Sequence, residues 1–311
     1  MKSSNIGGQA VLEGVMMKNG DSYAVAVRKP DGEIEVKKEK YESVIKWKAL
    51  TKIPFIRGVF NFIDSMVLGM KTLTYSASFF EEEEEDKGKV LTEEEAKKEE
   101  KKESVFMGIT VAFSIVLAIG IFMVLPYFII NLIGKMIQSR ILLTALEGVL
   151  RLLIFIGYIL VISRMEDIRR VYMYHGAEHK CINCIEHGMD LTVENVRKSS
   201  KQHKRCGTSF LFFVLFVSII VCFFITTESP VLRVLLRIAL LPVIAGISYE
   251  IIRLAGNTEH PVVELLSKPG LALQNLTTKE PDDDMIEVAI CSVEAVFDWK
   301  KYQKENFPEE P

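Results

Sequence analysis

The chain has 311 residues, a net charge of −3, a mean hydropathy of +0.21 and 25% charged residues. This charge balance gives no overall attraction to nucleic acid, so we expect no nucleic-acid partner. Positive mean hydropathy with so many charges indicates that very apolar and very charged segments alternate along the chain. The five cysteines are an odd number and argue against a disulfide scaffold.

Residues 1–80 are predicted to form a small cytosolic unit. Residues 1–40 are polar and lack the apolar stretch of a secretory signal, so we expect the N-terminus in the cytosol. Two alternating stretches, 23–28 and 33–37, flank a Pro-Asp-Gly turn, which predicts a β-hairpin. Glycines before this hairpin predict a further strand around Gln9.

Residues 54–80 are predicted to form an amphipathic helix. Arg57, Asp64 and Lys71 recur at intervals of seven, and the opposite face consists of Phe, Ile, Val, Leu and Met. Such a helix either lies on a membrane surface or packs against the rest of the protein. The charged run at 81–104 that follows is interpreted as a solvated linker.

Residues 105–256 are predicted to form a four-span membrane bundle. Each of four apolar stretches is long enough to cross a bilayer. These stretches are 105–134, 141–163, 207–227 and 231–252. The segment 164–206 is rich in Lys and Arg, whereas the short connections on the other side carry few. The positive-inside rule therefore places this segment and both termini in the cytosol of a multi-pass cell-membrane protein.

Residues 257–311 are predicted to form a cytosolic, helical C-terminal tail. Apolar residues recur at helical spacing in 271–276 and 285–299. Between these stretches, the acidic residues 282–284 suit the start of a helix, where the helix dipole favours negative charge.

The segment 175–184 holds the residues that point to chemistry. His175 and His179 are four residues apart, so on a helix both imidazoles can reach one metal ion. Glu178 lies beside them, placed to activate a metal-bound water, and His-x-x-Glu-His is the inverted form of a zinc-hydrolase motif. The pattern predicts a divalent metal site, with zinc as the favoured ion.

Further ligands are left open by this motif. Glu250 is a candidate, because an acid at the cytosolic end of the fourth span is otherwise costly. Glu194 and His203 are other candidates for the same position.

Cysteines support a competing interpretation. Cys181 and Cys184, taken with His203 and Cys206, have the spacing of a zinc ribbon. Four protein ligands would close the coordination shell, so that site would be structural rather than catalytic. Both a catalytic and a structural metal are possible in one protein.

Charged residues also interrupt the predicted spans. Glu147 and Arg151 are four residues apart and can pair on one helix face, and Arg237 lies in the fourth span. Charges inside a bundle generally pair with each other or line a cavity. A salt bridge that fixes helix packing is favoured here over a transport path, because no further acid or histidine continues a relay.

Several motifs together resemble the bacterial DUF1385 family of YqhQ-like proteins. These motifs are Gly-Gln-Ala-Val-Leu-Glu-Gly-Val-Met-Met at 8–17, Tyr-His-Gly-Ala-Glu-His at 174–179, His-x2-Cys-Gly-Thr-Ser at 203–209, Ser-Tyr-Glu-x2-Arg-Leu-Ala-Gly at 248–256 and Thr-Thr-Lys-Glu-Pro-Asp-Asp at 277–283. The resemblance covers nearly the whole chain apart from the acidic linker. It implies a predicted metal-dependent enzyme of the membrane, without a reaction or substrate.

The resemblance also bears on the ligand set. It implies that the positions of Cys181 and Cys184 vary, which weakens the zinc-ribbon interpretation. The shared candidates are then His175, Glu178, His179, His203, Cys206 and Glu250. This set favours an open site of mixed histidine, cysteine and carboxylate ligands.

We therefore expect an α-helical membrane protein with about four transmembrane helices, a small β-containing N-terminal unit and a helical tail. The favoured function is a metal-dependent hydrolase at the cytosolic membrane face, with Glu178 as general base. Its substrate would be a lipid or a membrane protein. The alternatives are a non-enzymatic scaffold or assembly factor with a structural zinc site, and a transporter.

Overall fold

The computed structural model describes residues 2–45, 50–80, 93–134, 137, 139–225, 227, 229–258 and 260–308. The chain divides into two compact units. The first, here called the sheet unit, comprises Met1–Phe80, Ile159–Ser218 and Leu240–Pro311. The second, here called the helical unit, comprises Glu81–Tyr158 and Ile219–Ala239. The N-terminal residues thus share one unit with the tail and with the segment that carries the histidine motif.

Four antiparallel strands form a sheet in the order β1-β2-β3-β4. The strands are β1 (Gly7–Val11), β2 (Gly14–Asn19), β3 (Ser22–Arg28) and β4 (Ile34–Lys40). The predicted hairpin is confirmed, since Arg28 pairs with Ile34 across the turn, where Gly32 adopts a φ of +90°. The predicted strand around Gln9 is confirmed as β1. The sheet is larger than predicted because a further strand, β2, pairs with β1 and places Met16 opposite Gln9.

Helix α1 (Ile56–Ala77) has its polar side buried and its apolar side exposed. Arg57 pairs with Glu250, and Asp64 accepts the N–H of Val44 at 3.0 Å. The buried residues of the helix are Gly58, Asp64, Leu68, Gly69, Thr72 and Ser76. Exposed large apolar side chains are Phe62, Ile63, Met66, Val67 and Leu73. The polar stripe is therefore the packing face, because its charged groups find partners in the fold.

Two helices, α5 (Glu166–Glu186) and α11 (Asp283–Val296), pack against the sheet. Their contact forms the main apolar core. Members of this core include Val15, Met17, Tyr174, Ile182, Met285 and Ile286. The predicted acidic helix start is confirmed, since Asp282 caps α11 by accepting the N–H of Met285 at 3.0 Å.

Shorter helices complete the sheet unit around α5. They are α6 (Val193–Lys198), α9 (Leu241–Asn257), α10 (Pro261–Thr277) and α12 (Trp299–Asn306). Most of the predicted 164–206 segment is thus helical, and the histidine motif lies well inside α5. The last turns of α5, Gly176–Glu186, are buried, which explains how polar residues there become fixed in place.

The remaining helices include the most apolar segments of the chain. They are α2 (Glu93–Ile119), α3 (Leu125–Ile133), α4 (Arg140–Ile162), α7 (Gly207–Phe224) and α8 (Pro230–Ala239), with a π-helical segment at Gly120–Val124 joining α2 to α3. Among described residues, three stretches are long and apolar enough to cross a membrane: Val105–Ile133, Arg140–Ile162 and Gly207–Phe224.

The predicted fourth span is not one continuous helix. Val231–Ala239 and Leu241–Asn257 are separated by a break and would count together as one broken span. Pro242 lies in the first turn of α9, where its missing N–H costs no helical hydrogen bond. A proline at this position is the physical reason for the break.

Candidate metal centre

Three side chains in the sheet unit form a group that could hold a metal ion. One ligand atom each from His175, His179 and Cys206 lies within 4.8 Å of the others. The two histidines are one helical turn apart on α5, with ring centroids separated by 4.4 Å. Cys206 immediately precedes α7, so two separate chain segments build the group.

Backbone carbonyls orient both imidazole rings. His175 donates from Nδ1 to the carbonyl of Thr277 at 3.0 Å, and His179 donates from Nδ1 to the carbonyl of Lys201 at 2.6 Å. A carbonyl can only accept, so in each neutral ring the proton resides on Nδ1 and Nε2 keeps its lone pair. Metal-binding histidines are held in the same manner.

The Cys206 sulfur lies close to these lone pairs. Its Sγ is 3.3 Å from His175 Nε2 and accepts the N–H of Thr208 at 3.3 Å. In tetrahedral zinc with usual bond lengths, a sulfur and a nitrogen ligand lie roughly 3.5 Å apart. This sulfur–nitrogen distance is thus compatible with a metal ion bound by both residues.

Glu178 lies beside the group but is directed towards the sheet. Its Oε2 is 4.0 Å from His175 Nε2, and the N–H of Gly8 in β1 donates to its carboxyl. Burial raises the pKa of Glu178 to about 7, although His175 and the Gly8 N–H act in the opposite direction. A carboxyl with a pKa near neutrality can accept and return a proton under cellular conditions.

A cavity of about 590 Å³ borders these residues. Its polar part contains His175, Glu178, His179 and Cys206. Its apolar part comes from α1, the first turns of α7, and α9, and includes Phe62, Met66, Phe210, Leu211 and Ile252. A ligand in this cavity would contact both polar groups and hydrocarbon side chains.

Glu250 lies in a different environment from the three grouped residues. Its carboxylate accepts from Arg57 Nε at 2.7 Å and from the N–H of Phe55 at 3.1 Å. Glu194, the other carboxylate candidate, is exposed and pairs with Lys198 at 2.7 Å. Both carboxylates are occupied by partners of their own, so we leave them out of the proposed ligand set.

His203 lines the cavity next to the group without belonging to it. Its ring centroid is 5.7 Å from that of His179, and its Nε2 is 3.5 Å from Glu186 Oε2. Burial lowers the pKa of His203 to about 4, even though Glu186 acts to raise it. The imidazole is thus neutral at pH 7. It lines the cavity beside the three grouped residues.

Cys181 and Cys184 are packed in the apolar core. Neither belongs to the group, and the Cys184 thiol donates to the carbonyl of Asp190 at 3.4 Å. Burial raises the pKa of Cys181 and raises that of Cys184 to about 11. Because the thiolate is the form that binds metal, this environment disfavours the zinc-ribbon arrangement.

Glu186 is a residue of this region that sequence patterns did not reveal. It is completely buried at the end of α5, where it accepts hydrogen bonds from Ser4 N–H at 2.7 Å and from Arg205. A carboxylate in the last turn of a helix opposes the helix dipole, so this position was a signal that a tertiary partner exists. Through His203 and Arg205, Glu186 connects the N-terminal segment to the site.

Replacing Glu186 with glutamine should destabilise the protein. Burial alone raises its pKa, but His203, Arg205 and Ser4 outweigh burial and lower the pKa from 4.5 to about 2. Its ionised form therefore stabilises the fold above pH 4.5, and this contribution is lost as pH falls towards 2. Leaving Arg205 without its buried partner costs roughly 3–5 kcal/mol. Thermal unfolding at pH 7 measures the loss, with exposed Glu305→Gln as control.

Gly8 allows β1 to approach the site closely. A Cβ at Gly8 would lie 2.8 Å from Glu178 Cγ and 2.8 Å from the Met16 carbonyl oxygen, whereas a Cβ at Gly7 would meet nothing within 4 Å. We expect Gly8→Ala to displace Glu178 and to destabilise the fold by roughly 1–3 kcal/mol. Gly7→Ala, its matched control, should unfold at the wild-type temperature. Equal unfolding temperatures for both variants would contradict this prediction.

The charged residues predicted inside the spans form a buried network in the helical unit. Arg151 pairs with Glu147 at 2.9 Å on α4, and Arg237 of α8 binds both carboxylate oxygens of Glu147 at 2.6 and 2.9 Å. The interhelical salt bridge is therefore present. It belongs to a second cavity, separate from the metal group.

Comparison with known proteins places the chain in a family. A family model described as "Protein of unknown function (DUF1385)" matches residues 53–299. The chain is 36% identical over 303 residues to the "Uncharacterized protein YqhQ" of Bacillus subtilis (strain 168), covering 96% of this chain and 94% of that protein. No solved structure matches the chain.

Proposed function

The chain belongs to the DUF1385 family, and from its site geometry we propose that it is a zinc-dependent hydrolase acting at a membrane surface. His175, His179 and Cys206 would hold the zinc. Glu178 would be the general base. The observation that carries this proposal is the convergence of three donor atoms, two of them on imidazoles locked by backbone carbonyls.

Zinc bound by three protein ligands supplies Lewis acidity and lowers the pKa of a coordinated water to about 7. Glu178 would take a proton from the attacking water as its oxygen forms a bond to the electrophilic carbon of the substrate. The same carboxyl would then return that proton to the leaving group as the scissile bond breaks. Burial supports this role, because a pKa of about 7 permits both directions of transfer at neutral pH.

Exposed apolar surfaces support placement at a membrane. The apolar side of α1 faces outward, and Val262, Leu265 and Leu266 of α10 are also exposed. A soluble helix would bury such a face, whereas a helix in the interfacial region of a bilayer exposes it to lipid. Together with the three apolar helices, these faces favour a protein embedded in a bilayer, with the basic 164–206 segment and both termini in the cytosol.

The cavity supports a substrate class. Its polar lining includes the metal group, and its apolar lining comes from α1, α7 and α9, which carry exposed or strongly apolar faces. A lipid, or a membrane-protein segment that leaves the bilayer, likewise has a polar scissile bond next to hydrocarbon. We therefore propose an amphiphilic substrate that enters from the membrane.

One distance favours a second candidate function, nucleophilic catalysis by a thiol. Cys206 Sγ lies 3.3 Å from His175 Nε2, within range for the imidazole to take the thiol proton. In that case Cys206 would attack the carbonyl carbon of the substrate. The bond to the leaving group would break as His175 returns the proton to it, and water would then hydrolyse the resulting thioester. His179, with its own oriented Nε2, has no role in such a pair, and for that reason zinc binding is the favoured proposal.

A turnover experiment separates these functions. Full-length protein in lipid nanodiscs is incubated with extracted bacterial membrane lipids, and products are followed by mass spectrometry. A zinc hydrolase should lose product formation on treatment with a chelator and regain it with zinc. A thiol hydrolase should resist the chelator and lose activity with iodoacetamide. A structural zinc site predicts no turnover in either state, which would exclude both enzyme proposals for lipids.

A further inference from the structure

The helical unit contains a second cavity, of about 60 Å³, lined by basic side chains. Arg140 at the start of α4 and Arg233 and Arg237 of α8 line it, together with Glu147, Asn131 and Tyr127. A single buried water needs only roughly 10–15 Å³ of such space, so a group the size of a phosphate fits. In the proposed topology, the helix ends around this cavity lie on the outer side of the membrane.

Charge in this cavity is not balanced by the described residues. Glu147 is shared by Arg151 and Arg237. Arg140 donates to the carbonyl of Ile225 at 3.0 Å, and Arg233 donates to the carbonyl of Thr227 at 2.6 Å. No ion pair within the described part of the chain joins Arg140 or Arg233 to a carboxylate. Among the described residues, three arginines and one glutamate line the cavity, so positive charge is in excess there.

Two buried arginine N–H groups in this cavity also lack a hydrogen-bond partner among the described residues. Arg237 is only 4% exposed, and its Nε has no hydrogen-bond partner among the described residues; the buried Nε of Arg233 is in the same condition. Both guanidinium groups lie over the ring of Tyr127, at 5.2 and 5.4 Å from its centroid. Each cation is thus stabilised by the face of one aromatic ring, and both are available to an anion in the cavity.

We propose that this cavity binds a phosphate group, carried by an anionic phospholipid or by free phosphate. Arginine presents planar, paired N–H donors that match phosphate oxygens, and such pairs are strongest where water is excluded. Asn131 offers an amide to the same ligand. The site is independent of the metal group, so its failure or success leaves the hydrolase proposal untouched; only the phospholipid source assumes membrane placement.

Native mass spectrometry of the full-length protein in detergent tests the proposal. Phosphatidylglycerol is titrated against phosphatidylcholine, and inorganic phosphate is added as a competitor. Arg233→Gln is the main variant, because Arg233 makes its described polar contact with a carbonyl and its loss leaves Glu147 paired. We expect it to weaken phosphatidylglycerol binding at least about tenfold. Arg237→Lys keeps the charge beside Glu147 but removes the paired N–H donors of the guanidinium group, so it should also weaken phosphatidylglycerol binding.

The control is Arg169→Gln, which removes one exposed arginine from α5. Binding of this variant should equal that of the wild type. Two results would identify free phosphate as a ligand: displacement of the lipid by millimolar phosphate, or a phosphate-dependent rise in Tm that Arg233→Gln abolishes. Lipid binding without either result would identify the phospholipid as the ligand. The proposal is overturned if neither Arg233→Gln nor Arg237→Lys weakens the binding of phosphatidylglycerol or phosphate more than Arg169→Gln does.

Discussion

His179→Ala is expected to reduce the zinc content of the purified full-length protein from roughly one ion per chain to nearly none. His179 is 1% exposed, and its Nδ1 is committed to the carbonyl of Lys201, so its Nε2 is the atom available to a metal ion. Loss of a group that merely orients a ligand costs roughly 10- to 100-fold in metal affinity, and loss of the ligand itself should cost more. Elemental analysis after dialysis against a weak chelator measures the effect.

Cys206→Ala should behave like His179→Ala, because its sulfur is the third donor of the group. Cys184→Ala is the matched control. It removes a thiol of equal size from the same region, but that thiol is in the apolar core and donates to a carbonyl. If His179→Ala retains zinc, the proposed ligand set is refuted. If Cys184→Ala loses zinc while His179→Ala retains it, the zinc-ribbon arrangement is supported instead.

Glu178→Gln is expected to lower turnover by about 10²- to 10⁴-fold while zinc content remains unchanged. Glutamine keeps the shape of the side chain but cannot accept a proton, and general bases contribute rate factors of this order. Wild-type activity should fall as pH decreases and the Glu178 carboxyl becomes protonated. Product formation from lipids by the zinc-loaded wild type and Glu178→Gln in nanodiscs, measured across pH, checks the turnover and its pH dependence. Elemental analysis checks the zinc content.

The same substitution should stabilise the zinc-free protein. Burial raises the pKa of Glu178 from 4.5 to about 7. Holding the ionised carboxyl in the fold is therefore unfavourable, and its cost grows as pH rises from 4.5 to about 7. At pH 8, Glu178→Gln should remove this cost, on the order of 3 kcal/mol at most. Exposed Glu194→Gln should change neither stability nor turnover. A destabilised Glu178→Gln variant would indicate a structural carboxylate instead of a base.

Local sequence patterns were sufficient for several elements. The Pro-Asp-Gly turn identified the β3–β4 hairpin, because only a tight turn accommodates those residues between two alternating stretches. Long apolar runs identified three apolar helices within a few residues of their ends. The spacing of His175 and His179 placed both imidazoles on one face of a helix. Each of these features depends on residues close together in the chain.

Long-range features escaped the same approach. Tertiary partners place Arg57 and Asp64 of the heptad on the packing side of α1 and leave its apolar side exposed. Lys71 pairs with Glu39 but stays exposed. Glu250 looked like an unpaired acid, and Arg57, nearly two hundred residues away in the chain, is its partner. Pairing between distant residues leaves no periodic signal in a single sequence, so neither outcome was predictable.

The sequence by itself determined the residue types of the site, their placement on one helical face, and the family of the chain. Tertiary structure alone decided which donors meet. It brought Cys206 to His175, buried Cys181 and Cys184 in hydrocarbon, and assigned Glu250 to Arg57. The physical reason is that a ligand set depends on distances and burial in three dimensions. Spacing along the chain constrains those quantities only within one helix or hairpin.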